Sequence, residues 1–163
     1  MASASSDDDN LVYIDLDTDG GVSGHHLLYE IAAATDSGNI PFNEKIDGCQ
    51  NLPKNRGRRL SNLLSLKGAL TAFLNWLKSL PGRKTYLVAH NAKNFDAIIF
   101  VQSLDKCNMR IPTWIEFVDS MDLILELQKL GSCKFNPSIL SHHNSLQYFP
   151  SFCRPEVRRY FIR

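Results

Sequence analysis

Three aspartates in this chain stand where chemistry could begin. Asp15 and Asp17 close the apolar run LVYIDLD, and Asp96 lies inside VAHNAKNFDAIIF, between Phe95 and the string Ala97, Ile98, Ile99 and Phe100. Side chains two apart on a strand project to one face, so Asp15 and Asp17 set two like charges side by side. Both stay ionised only where a cation sits between them or water reaches both, and a hard divalent ion such as magnesium suits such oxygen donors. The plainer reading makes both of them hydrated turn residues ahead of Thr18-Asp19-Gly20-Gly21. Asp96 follows a short apolar strand and opens an apolar helix, so an α/β sheet can bring it opposite the first pair. Three carboxylates with few basic neighbours in sequence describe a two-metal phosphodiester site, in which ions roughly 3.5–4 Å apart activate a water and neutralise the departing oxygen. Taken alone, Asp96 is equally an ordinary acid favoured by a helix N-terminal dipole.

The elements that must position these acids are legible from periodicity and punctuation. LVYIDLD is apolar, β-branched and aromatic, and TDGG after it is a turn signal. LLYEIAAATD gives a second strand, closed by Asp36, Ser37, Gly38 and Asn39, which forms a hairpin with the first; its alanines leave a short helix as the alternative. NLPKNRGRRLSNLLS is a Pro, Gly and Arg-rich loop. From Leu66 to Leu80 the residues Leu66, Ala69, Leu70, Phe73, Leu74, Trp76, Leu77 and Leu80 recur at helical spacing, and Pro81-Gly82 ends the run. TYLVAHN is a short buried strand, NFDAIIFVQSLDKC a second helix, and WIEFVDSMDLILELQKL a strand running into a third. Alternating strands and helices predict an α/β domain with at least one parallel pair and polar groups gathered at strand ends. Ile14, Phe73, Trp76, Leu77, Val88, Ile98 and Ile99 are expected to share one core.

Composition narrows the class. The chain has 163 residues, of which 44% are hydrophobic and 21% charged, enough for one compact domain over 11–163. Residues 1–10, MASASSDDDN, read as a disordered polar tail. A net charge of +1 argues against a protein that coats nucleic acid at large. The four cysteines Cys49, Cys107, Cys133 and Cys153 are scattered without a C-x-x-C pair, which suits reduced thiols. With no signal peptide and no run long enough to span a bilayer, the expectation is an intracellular protein of nucleus or cytoplasm with no membrane association.

LVYIDLD resembles the first motif of the DEDD, or DnaQ-like, 3′→5′ exonucleases. LVAHNAKNFDAIIF resembles their second, the H-N-x-x-x-F/Y-D element of proofreading and three-prime repair exonucleases, and the likeness covers Leu11 to Leu130. It implies a ribonuclease H-like exonuclease fold, a mixed β-sheet flanked by helices. It also implies Asp15, Asp17 and Asp96 as catalytic metal ligands, Mg2+ or Mn2+ as cofactor, and the 3′ ends of single-stranded DNA or RNA as partners. His90 and Asn91 are then substrate-binding candidates that also stiffen the strand-to-helix turn. Arg58 and Arg59 are candidates for phosphate contact, with solvated surface as the plainer reading. Asp17 stands where the family has glutamate, one methylene longer.

SLKGALTAFLNWL and SLQYFPSF resemble the exonuclease-like C-terminal region of long forms of the promyelocytic leukaemia protein and of related animal proteins. That likeness implies a rival function, a non-catalytic protein-interaction module on the same fold. The third family motif is the point of departure. The histidine subclass requires H-x-x-x-x-D, whose histidine takes the proton of the attacking water. His143 is the catalytic candidate beside His142, but Gln147 and Tyr148 occupy the positions where the aspartate belongs. Y-x-x-x-D fails at Tyr148, which is followed by Phe149, Pro150, Ser151 and Phe152. FVDSMDLILEL meets QKLGSCKFNPSIL at once, so a segment carrying the motif is expected to be missing near Leu125–Gln128, leaving hydrolysis impaired or absent.

Overall fold

The computed structural model describes residues 9–19, 27–35, 41–47 and 63–129. They form an α/β layer structure around a mixed five-stranded sheet. Its strands are β1 (Asn10–Thr18), β2 (Leu28–Thr35), β3 (Phe42–Lys45), β4 (Thr85–Ala89) and β5 (Ile115–Asp119), in the order β3-β2-β1-β4-β5. The helices are α1 (Leu66–Ser79), α2 (Asp96–Lys106) and α3 (Ser120–Lys129).

The central strand explains its own composition. β1 pairs antiparallel with β2 and parallel with β4, so both its edges are flanked, and the burial of Leu11, Val12, Tyr13, Ile14 and Leu16, which alternate between its faces, shows that both faces are covered. A strand in that position needs a near-continuous apolar run rather than alternation. It starts at Asn10, one residue before that run, because the Asn10 N–H donates to the Lys84 carbonyl at 2.8 Å. The alanine-rich second segment is a strand, as expected, and β5 adds a second parallel pair beside β4. β3 was not anticipated. It has four residues behind Pro41 and finds its register only against β2, pairing Glu30 with Lys45 and Ala33 with Phe42.

The helices follow their spacing closely. At the start of α1, the Ser65 hydroxyl accepts the Gly68 N–H at 3.1 Å, satisfying one of the amides a helix start leaves without partners. Past its end, Gly82 takes φ 120°, a conformation side-chain-bearing residues avoid. Ala69, Leu70, Phe73 and Leu77 of α1 meet Val12, Ile14 and Leu16 of β1 and Ile99, Phe100 and Leu104 of α2 in one apolar cluster. Ring contacts cross the domain through it: Phe42 to Phe73 at 5.2 Å, Phe73 to Phe100 at 5.7 Å, and Phe100 to Phe117 at 5.7 Å.

Of the expected core set, Ile14, Phe73, Leu77 and Ile99 are in this cluster and Trp76 packs against its edge. Val88 is buried on the opposite face, since its neighbours Leu87 and Ala89 are the ones turned toward the cluster. Ile98 is only half-buried, because the helical period turns Ile99 and Phe100 inward instead. No helix among the described residues is long and apolar enough to cross a membrane. Residues 1–8, Arg58, Arg59, His142 and His143 lie outside the described residues. α3 runs through Leu125–Gln128 without interruption.

Candidate functional site

The parallel pairing of β1 and β4 carries the chain from one acidic motif to the other. β4 ends at Ala89, and His90 to Phe95 form the turn that delivers Asp96 as the first residue of α2. Asn91 makes this reversal possible by adopting φ 57°, a left-handed conformation that asparagine tolerates better than most residues. Its carbonyl accepts the N–H groups of Asn94 at 3.0 Å and Phe95 at 3.1 Å, and its side-chain oxygen accepts Asn94 Nδ2 at 2.7 Å. Asn91 thus stiffens the turn as expected. His90 does not share that task through Nδ1, which is buried with no hydrogen-bond partner among the described residues.

Asp96 is 4% exposed, and its Oδ1 accepts the Leu16 N–H at 3.2 Å. Leu16 lies between Asp15 and Asp17, so the second acidic motif is fastened to the middle of the first across 80 residues of sequence. Asp96 is an acid in the first turn of α2, where the helix dipole favours it, but it is not the N-cap, which is Phe95; its carboxylate is turned to the β1 backbone. Asp17 is exposed near the end of β1, at a register shift between Asp17 and Thr18. Such a bulge twists the strand and re-aims its side chains. Opposite Asp17 stands Glu30, a like charge, which is held in turn by Asn43 Nδ2 at 2.9 Å and Lys45 Nζ at 3.6 Å.

The electrostatics follow from that crowding. Burial pushes the Asp96 carboxyl up to about 7, the charge of Asp15 pushes further, the Leu16 amide works against both, and Asp119 adds a smaller upward push. Asp15 is pushed up to about 6, by burial first, then by Asp17 and Glu30. Asp17 moves up as well, through burial and Glu30, with Lys45 opposing. These carboxylates hold protons that an isolated aspartate releases near 3.8. Lys45 offsets part of this negative charge, and it is itself paired with Glu30. The donors are hard oxygens, which fits a hard divalent ion. Among the described residues, however, no three His, Cys, Asp or Glu side chains are grouped so that they could hold a metal ion.

Sequence reasoning passed over one acid beside this site. Asp119 ends β5 opposite Ala89 in the register, and it is 6% exposed. Its Oδ1 accepts the Met121 N–H at 3.0 Å and its Oδ2 accepts the Lys93 N–H at 3.1 Å. The signal was present in the sequence: an acid closing a short apolar strand directly before a helix is both an N-cap and a strand-end residue. The Lys93 ammonium pairs with Asp122, one step along α3. The chain matches no protein-family model, and no curated protein matches it significantly.

Proposed function

We propose that the chain is a DEDD-type 3′→5′ exonuclease-like domain with a ribonuclease H-like fold, one that binds nucleic-acid 3′ ends through divalent metal and hydrolyses them poorly. The observation that carries this reading is the Leu16–Asp96 hydrogen bond, which fastens the D-x-D element of β1 to the aspartate of H-N-x-x-x-F-D. The mixed sheet supports it too, because Asp15, Asp17, Asp96 and Asp119 all lie at or next to the C-terminal ends of β1, β4 and β5.

Asp15, Asp17 and Asp96 would hold Mg2+ or Mn2+, and the bound ions would supply an activated water and charge neutralisation at the departing oxygen. The chain's own contribution is to hold two of these carboxylates partly or fully out of water, where their attraction for a cation is strongest. His90, half-buried after the end of β4, and the exposed Asn91 that follows it would be the candidates for substrate contact. Slow hydrolysis follows from the sequence, which lacks H-x-x-x-x-D. General acid–base assistance is worth about 10²–10⁴ in rate, and the aspartate of the same motif, which would complete the metal cage, has no counterpart at that spacing. Asp119 gives each of its oxygens to a backbone amide, which ties its carboxylate to the fold.

The test uses 3′-labelled and 3′-blocked single-stranded DNA and RNA oligonucleotides with Mg2+ or Mn2+. Expected are metal-dependent binding that prefers a free 3′ end, slow shortening from that end, and loss of both in Asp15→Ala. Binding that is indifferent to metal, to the 3′ end and to Asp15→Ala would refute the reading and leave the non-catalytic interaction module.

A further inference from the structure

We infer that Asp119 is a positioning residue: its buried carboxylate locks the turn that places Asp96, a role that rests on reading Asp15, Asp17 and Asp96 as the metal-binding set. The backbone amides of the turn find different acceptors. Those of Asn94 and Phe95 go to the Asn91 carbonyl, and that of Ala97 goes to the Ala92 carbonyl. The Lys93 amide goes outside the turn, to Asp119 Oδ2 at 3.1 Å. It is the tether between the middle of the turn and the neighbouring strand, three residues before Asp96. Asp119 can serve because parallel pairing sets it beside Ala89, the last residue of β4. Its other oxygen, on the Met121 amide, fixes the carboxylate to the start of α3. One side chain therefore ties a helix start to the strained Asn91 turn, and Lys93 with Asp122 adds a solvent-exposed second link between the same two segments.

The competing account makes Asp119 a helix cap and nothing more. Two variants of the full chain separate the two accounts. Asp119→Ser keeps a hydroxyl suited to capping Met121 but is too short to reach across to Lys93. Met121→Pro removes the capped N–H in the first turn of α3, where proline is tolerated, and leaves the Lys93 tether intact. Backbone amide exchange and Mn2+ binding by calorimetry are measured on both.

Expected for Asp119→Ser is exchange at Lys93 roughly tenfold or more faster, with local protection lost rather than global stability. Its Mn2+ affinity should fall roughly ten- to hundredfold, as when the support of a metal ligand is removed. Met121→Pro should change neither. If Asp119→Ser does not fold, Asp119→Asn takes its place: its NH2 group cannot accept an N–H where the second oxygen stood, and with asparagine's capping preference keeping the oxygen on Met121, the same loss at Lys93 is expected. Unchanged Lys93 exchange in the Asp119 variant, or equal effects of the two variants, would overturn the inference. A wild-type chain that binds no Mn2+ would remove the metal reading instead, and Lys93 exchange would still decide whether Asp119 holds the turn.

Discussion

Asp96→Asn should make the metal-free protein more stable at pH 8, although it removes the acid on which the proposed function depends. The carboxyl of Asp96 sits at about 7 in the folded chain against an ordinary 3.8. At pH 8 it must be ionised in both states, and keeping it ionised in its buried place costs about 4 kcal/mol, taking 1.36 kcal/mol for each tenfold change in proton affinity. Part of that cost is shared with Asp15, whose charge is one of its causes, so removing the Asp96 charge should recover roughly 2–4 kcal/mol. Asparagine keeps the side chain's shape and a carbonyl oxygen for the Leu16 N–H, so little packing is lost.

The sign can be checked through proton linkage. Between pH 4 and 7 the folded chain binds more protons at Asp96 and Asp15 than the unfolded chain does, so this contribution to stability is present at low pH and is lost as pH rises through about 6 and 7. Urea denaturation in a chelator at pH 5 and pH 8 is the assay. The variant should gain more at pH 8 than at pH 5, where folded Asp96 is protonated and the cost is only that of protonating an ordinary aspartate, roughly 1–2 kcal/mol. Equal or lower stability of Asp96→Asn at pH 8 would refute the reasoning, because it would mean that the carboxylate is satisfied without a cation. Adding Mn2+ at pH 8 should stabilise the wild type by mass action and leave the variant nearly unchanged.

Phe73→Ala should cost about 3–5 kcal/mol, since Phe73 is fully buried and joins the rings of Phe42, Trp76 and Phe100; an unchanged thermal midpoint would show that α1 is misplaced. Ser65→Ala should cost about 1 kcal/mol by leaving the Gly68 amide without its acceptor, measurable as a lower urea midpoint at constant slope. Asp122→Asn, which breaks an ion pair lying in water, should leave the thermal midpoint unchanged, and a clear drop would assign that pair a larger part in holding the turn.

What was legible in the sequence was what local physics determines. The apolar face of α1 announced itself through Leu70, Phe73 and Leu77, and the doubly covered β1 through an unbroken apolar run. Asp15, Asp17 and Asp96 stood out because acids at the ends of apolar runs are costly unless something uses them. β3 escaped because FNEK has no period of its own and is a strand only by virtue of β2. Asp119 escaped because its value lies in reaching Lys93, 26 residues away, a contact that only the β4–β5 register creates. The burial of Val88 away from the main cluster has the same origin: a one-residue choice of register decides which face of β4 looks at the helices.

The pairing of β1 with β4 also dictates when the site can come into being. β1 and β2 are close in sequence and can zip together locally, whereas Leu16 and Asp96 are separated by 80 residues. Closing that loop costs entropy before any contact across it is rewarded, which makes it a slow step in a chain of this topology. The early hairpin therefore already holds Asp15, Asp17 and Glu30, and what is charged to the later association of the sheet is the burial of Asp96 and its repulsion with Asp15. A divalent cation that relieves the repulsion would act on that late step, slowing the departure of α2 and β4 from β1 more than it hastens the first collapse.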